Sequence, residues 1–204
     1  MKLTSILACA AMLFMAACES RPPSAAEQAD ICDIFDDRKA WYRAAARAED
    51  KWGAPIALQM AVLQAESSFD ADARPPRGRT FFGLLPGRRP SSAYGYAQAV
   101  NETWAEYRRG SGNRNAERDD IDDATDFVAW YVDRTARRTG LARSDARGQY
   151  LAYHEGIGGY QRGSYRSKAW LVTRAGEVAN TAARYDRQLE RCERRLRRGF
   201  IPFL

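Results

Sequence analysis

Residues 55–69 read Pro55-Ile-Ala-Leu-Gln-Met-Ala-Val-Leu-Gln-Ala-Glu-Ser-Ser-Phe69, and this stretch decides the fold. Pro55 suits the start of a helix, where a missing N–H is tolerated. Behind it come Ile56, Leu58, Met60, Val62 and Leu63 with alanines between them, and only Gln59 and Gln64 interrupt the apolar surface. A helix apolar nearly all round belongs inside a protein, packed on most sides. Its far end carries a carboxylate, Glu66, with no basic residue in the ten positions before it. The C-terminal end of a helix disfavours negative charge, and so does burial. Glu66 is therefore expected to hold its proton towards neutral pH, as a general acid must. The plain alternative is a Glu that ends a core helix at the surface.

Outward from this helix the chain reads as further helices. Asp30 caps one running to about Trp52, with Gly53 as its stop. Residues 70–92 hold Pro75-Pro76, Gly78, Gly83, Pro86-Gly87 and Pro90, a long loop of the kind that is usually functional or mobile. Asn101 caps a helix through Trp104 and Tyr107 to about Arg109. Asp120 opens another, with Phe127, Val128, Tyr131 and Val132 on one face and Gly140 as its stop. Ser144 caps the next, through Tyr150, Leu151 and Tyr153, and Gly156, Gly158 and Gly159 break it. A last helix spans about 167–198. No alternating strand run is convincing, so the class is all-α.

The ends read differently. Lys2 is the only charge before Glu19, and the run from Leu3 to Ala17 has the length of a signal h-region rather than a membrane span. Small residues before Cys18 resemble the lipobox of bacterial lipoproteins, with Met15 where Leu is usual. Residues 1–17 are thus expected as a lipoprotein signal, Cys18 as the lipidated residue, 18–30 as a polar tether, 31–198 as the domain and 199–204 as a short apolar tail. Plain secretory cleavage near Ala17 is the alternative. Beyond Cys9 and Cys18 only Cys32 and Cys192 remain. Two thiols in an oxidising compartment suggest a disulfide, against a reading as two separate thiols. One His and two such Cys offer no metal-site spacing, and no cofactor is expected. The 204 residues carry a net charge of +6, which permits binding to an acidic polymer without selecting one. Export disfavours nucleic acid as that partner.

Three segments, in order, resemble the catalytic domain of lytic transglycosylases of the soluble (SLT) type, similar in fold to goose-type lysozyme. They are Glu66-Ser67-Ser68-Phe69, Gly95-Tyr96-Ala97-Gln98 and Ala152-Tyr153-His154-Glu155-Gly156. The family has Glu-Ser-x-Phe, Gly-Leu-Met-Gln and Ala-Tyr-Asn-Ala-Gly at these places. The chain departs from it in a longer gap between Glu66 and Gly95, and in His154 and Glu155 where the family has Asn and Ala.

The resemblance implies a single lysozyme-like helical domain that cleaves the bond between N-acetylmuramic acid and N-acetylglucosamine in peptidoglycan. The product would carry 1,6-anhydromuramic ends. Glu66 is implied as the sole acid/base. Tyr153 is implied as the group that hydrogen-bonds and orients the Glu66 carboxylate. Ser67, Gly95 and Gln98 are implied at the substrate, with Gly95 allowing close approach of backbone to sugar or else serving as a turn glycine, and Gln98 bonding a sugar or Glu66 or else capping a helix. Tyr96, as an aromatic, and His154, beside the motif tyrosine, are further candidates for substrate contact. Tyr94, Tyr160 and Tyr165 are weaker candidates for stacking on sugars. Glycan strands would be the partner, and the location a periplasmic membrane surface, the inner leaflet of a Gram-negative outer membrane. Two other classes stay open: a hydrolytic muramidase assisted by Asp70 or Asp72, and a non-catalytic wall-binding protein of an envelope assembly.

Overall fold

The computed structural model describes residues 21–198 apart from 78 and 81–84, with 79–80 and 85–86 described as backbone only. The expected signal, Cys18 and the 199–204 tail lie outside the described residues. Among the described residues eight α-helices run in order: α1 (Ile31–Asp37), α2 (Lys39–Trp52), α3 (Ile56–Ser67), α4 (Asn101–Gly110), α5 (Ile121–Thr139), α6 (Ala146–Glu155), α7 (Ile157–Arg162) and α8 (Ala169–Arg198). The long loop contains one antiparallel pair of two-residue strands, β1 (Arg79–Thr80) and β2 (Leu85–Pro86), which no alternating pattern announced.

Helix α3 is the axis of the domain. Ile56 to Leu63 are buried without a gap, and α2, α5 and α8 pack around them. Gln59 is the polar residue in that run, and it is fully buried. Its amide donates to the carbonyls of Ala45 (3.1 Å) and Ala54 (2.8 Å), so it ties α3 to α2 rather than opposing burial.

Several helix ends differ from expectation by a local physical cause. The helix expected over 30–52 is two helices, because Arg38 leaves helical geometry (φ −126°, ψ 64°). Asp30 does cap the first, accepting from Cys32 N–H at 2.9 Å, and Gly53 ends the second at φ +75°. Asn101 is the first residue inside α4 and caps nothing; Val100 holds the cap position. Asp145, not Ser144, caps α6 by accepting from Gly148 N–H at 3.0 Å. Gly156 breaks α6 as expected, yet Gly158 and Gly159 lie inside α7.

The segment expected as a tether is docked at its C-terminal end. Glu27–Ala29 form a 3₁₀ turn. Tyr185 of α8 donates to the Gln28 carbonyl at 2.6 Å, and Gln188 to that of Ala29 at 2.9 Å. Cys32 and Cys192 form a disulfide, with Cα atoms 6.0 Å apart across 160 residues of chain. It joins α1 to α8. The chain-entropy model assigns a loop of that length about 5 kcal/mol, as an upper figure.

Candidate active site

The buried helix ends at the carboxylate. Ser68 caps α3 in the left-handed region (φ +53°), and Phe69 follows it there (φ +63°). Gln98, across the site, has φ +48°. These are the only non-glycine residues with positive φ among the described residues. Such geometry costs on the order of 1–3 kcal/mol each and survives where surrounding packing over-determines it. Here Phe69 is buried with its ring 5.7 Å from that of Trp41. The chain turns away within two residues of Glu66 and leaves the carboxyl at the edge of the core.

That carboxyl lines a cleft of about 540 Å³. Ser91, Ala93 and Gln98 to Val100 form one side with Thr103 of α4; Phe127 and Tyr131 of α5 contribute aromatic faces; Tyr153 to Gly156, at the end of α6, form the other side. Burial pushes the Glu66 carboxyl up from 4.5 to about 7. Two groups act against that rise: the Tyr150 hydroxyl, which pairs with the carboxyl, and the Arg174 guanidinium of α8. Tyr150 also pairs with Arg174, and Arg174 donates to the Ala65 carbonyl at 2.7 Å.

The other expected site residues divide. Gln98, Tyr153 and His154 line the cleft with Glu66. Tyr153 does not make the expected bond to Glu66. Its hydroxyl donates to the Ala97 carbonyl at 2.5 Å, which fixes the Gly95–Gln98 turn to α6. Gln98 donates both amide hydrogens inward, to Ala73 O (2.9 Å) and Gly95 O (2.8 Å). It can offer a ligand only its side-chain oxygen, an acceptor.

Ser67, Gly95 and Tyr96 are not in the cleft. Ser67 Oγ donates back to Leu63 O at 3.1 Å, within its own helix. Gly95, at φ +75°, is required by protein rather than sugar: a Cβ there would lie 2.0 Å from the Arg118 carbonyl oxygen. Tyr96 is a buried core residue packed edge-on against Trp41. Among the weaker candidates, Tyr160 and Tyr165 stack on each other at 5.4 Å, and the ring of Tyr94 is covered by Arg74 at 4.0 Å.

Glu155, which stands where the family has Ala, also lines the cleft. Its side chain is only 4% exposed. Lys168 Nζ donates to Oε1 at 2.6 Å, Ser164 donates to Oε2, and His154 Nδ1 lies 3.3 Å from Oε1. The bonds from Lys168 and Ser164, in that order, hold its carboxyl down at about 2. It is a committed anion and a poor base. Asp70 and Asp72 do not line the cleft; Asp70 accepts from the Asp72 N–H at 2.9 Å, and Asp72 lies 3.1 Å from the Tyr94 hydroxyl.

The residues missed from sequence are Tyr150 and Arg174. Tyr150 had a readable signal, since it stands three places before Tyr153 and shares its face of α6. Arg174 had none, because it arrives from α8, more than a hundred residues on.

A family model described as Transglycosylase SLT domain matches residues 6–192. No curated protein and no solved structure matches the chain.

Proposed function

The chain belongs to the transglycosylase SLT domain family, and from that premise we propose that it cleaves peptidoglycan without adding water, with Glu66 as its single acid and base. The observation that carries the reading is Glu66 itself: a carboxyl at about 7 in a cleft whose other carboxylate, Glu155, has both oxygens engaged.

The chemistry follows from that carboxyl. Protonated Glu66 gives its proton to the oxygen that links muramic acid to the next glucosamine, and that sugar leaves. Positive charge develops at the muramyl anomeric carbon. The muramyl 6-hydroxyl then adds to that carbon and passes its proton to Glu66, now ionised. The result is a 1,6-anhydro ring, and Glu66 ends protonated as it began. One group acts as acid and then as base, so a proton affinity near the working pH serves both halves. Burial raises that affinity, and Tyr150 with Arg174 keeps it from rising further. Tyr153 and Gln98 act as bracing, holding the facing turn at a fixed distance across the cleft.

A muramidase would need a second carboxyl about 5 Å from the first to retain configuration, or about 6.5–9.5 Å away to invert it. Asp70 and Asp72 lie outside the cleft, and Glu155 is too weak a base to activate water. The test is mass spectrometry of fragments released from purified sacculi. Muropeptides lighter by one water than hydrolysed ones are expected from wild type, and none from Glu66→Gln. Fragments ending only in reducing muramic acid would replace this reading with a muramidase, and an active Glu66→Gln would remove Glu66 from it.

A further inference from the structure

Of the five tryptophans, Trp41, Trp104 and Trp130 are buried and Trp52 is half-buried. Trp170 is 58% exposed, and it is the only large hydrophobic side chain so exposed among the described residues. Single exposed apolar residues are ordinary on protein surfaces. The surroundings of this one are not. Its ring stands edge-on to His154 at 5.0 Å between centroids, and His154 is a wall of the cleft. Four residues along α8, on the same face, Arg174 holds the carbonyl of Ala65, the residue before Glu66. Trp170 thus adjoins the cleft through His154, on a helix that Arg174 ties to the end of α3.

Its footing is also rigid. Lys168 is paired to Glu155 at the end of α6, the Leu171 N–H bonds to the Lys168 carbonyl at 2.9 Å, and the Leu171 side chain is fully buried. An exposed indole on a backbone held in this way, edge-on to a wall of the cleft, offers a flat face beside it. We propose that Trp170, with His154 at its edge, is a stacking platform for a hexosamine ring of the glycan strand, flanking the position where the bond is cut. The inference rests on the functional reading above. An indole face carries negative charge density, and a pyranose presents its polarised C–H bonds on a face of similar size. A polymer seated across Glu66 must place sugars on both sides of the scissile bond, and the platform gives one of them a surface.

The test uses the full chain as Glu66→Gln, so that sacculi stay intact. Co-sedimentation with purified sacculi is compared among this parent, its Trp170→Ala form and its Trp170→Phe form. The alanine form should bind roughly three- to tenfold more weakly, as befits loss of one aromatic face, and the phenylalanine form should recover most of that loss. In the otherwise wild-type enzyme Trp170→Ala should raise KM more than it lowers kcat, the mark of lost uniform binding. Chitotetraose should shield the parent's exposed tryptophan from acrylamide quenching. Equal sedimentation of the alanine form and its parent overturns the platform while the functional reading stands. If wild type leaves sacculi intact and the parent fails to bind them, the functional reading falls and the platform with it.

Discussion

Replacing Glu66 by Gln should abolish wall cleavage, and it should also stabilise the protein by an amount that depends on pH. The sign follows from the direction of the shift. Unfolded, Glu66 ionises near 4.5; folded, burial moves it to about 7. Below 4.5 both states hold the proton and the residue contributes no pH dependence. Between 4.5 and 7 the unfolded chain loses its proton first, so stability falls as pH rises. Above 7 the folded state carries the full penalty of an ionised carboxyl in a poorly solvated place. At 1.36 kcal/mol for each tenfold change in proton affinity, that penalty is about 3 kcal/mol. Gln has the shape of the protonated acid and never ionises. Glu66→Gln should therefore match wild type near pH 4 and exceed it by about 3 kcal/mol at pH 8. In a domain of this size that corresponds to roughly 6–12 °C in Tm. Thermal unfolding of both proteins at pH 4, 6 and 8 measures it. A Tm difference that stays constant from pH 4 to pH 8 would refute the claim that Glu66 is held protonated by its surroundings, whatever happened to activity.

Tyr150→Phe removes a donor to the Glu66 carboxylate, so the alkaline limb of the kcat/KM profile should move upward from its wild-type place near 7; a change in Tm with no movement of that limb would make Tyr150 a packing residue only. Gly95→Ala would force a Cβ to within 2.0 Å of a backbone oxygen at φ +75°, and should lower the unfolding free energy by at least about 2 kcal/mol; a urea midpoint near that of wild type would contradict this. Cys18→Ser should release the protein from the membrane fraction and end its labelling by fatty acid, and unchanged fractionation would favour cleavage without an anchor.

Much of this was legible from periodicity. The uninterrupted apolar character of 56–63 placed α3 in the centre, because no other placement buries every side of a helix. The stops at Gly53 and Gly140 were equally readable, since both need positive φ. The two cysteines beyond residue 18 suggested the disulfide that joins α1 to α8. Boundaries set by competition between neighbours were not readable. Ser144 and Asp145 are both good caps side by side, so propensity does not rank them, and it is Asp145 that takes the position. Arg38 breaks a helix although its own propensity favours one.

Which side chains share the candidate cleft was partly legible, their pairings were not, and the two tyrosines of α6 show why. Tyr150 and Tyr153 are one turn apart on a single face, so a sequence motif brings both towards α3. Which hydroxyl meets the carboxyl depends on how far α6 slides along its neighbours. That offset is set by contacts remote in sequence: α6 against α8, Glu155 held by Lys168, and Tyr131 donating to the Ala152 carbonyl at 3.2 Å. With α6 so placed, Tyr153 reaches across to Ala97 and Tyr150 meets Glu66. The same logic covers Gly95. A motif glycine beside a substrate cleft invites a role at the sugar, yet here the close neighbour is the Arg118 carbonyl. The backbone must pass close to something at position 95. The something is the protein's own chain, and by fixing the turn that carries Gln98 it shapes the cleft from behind.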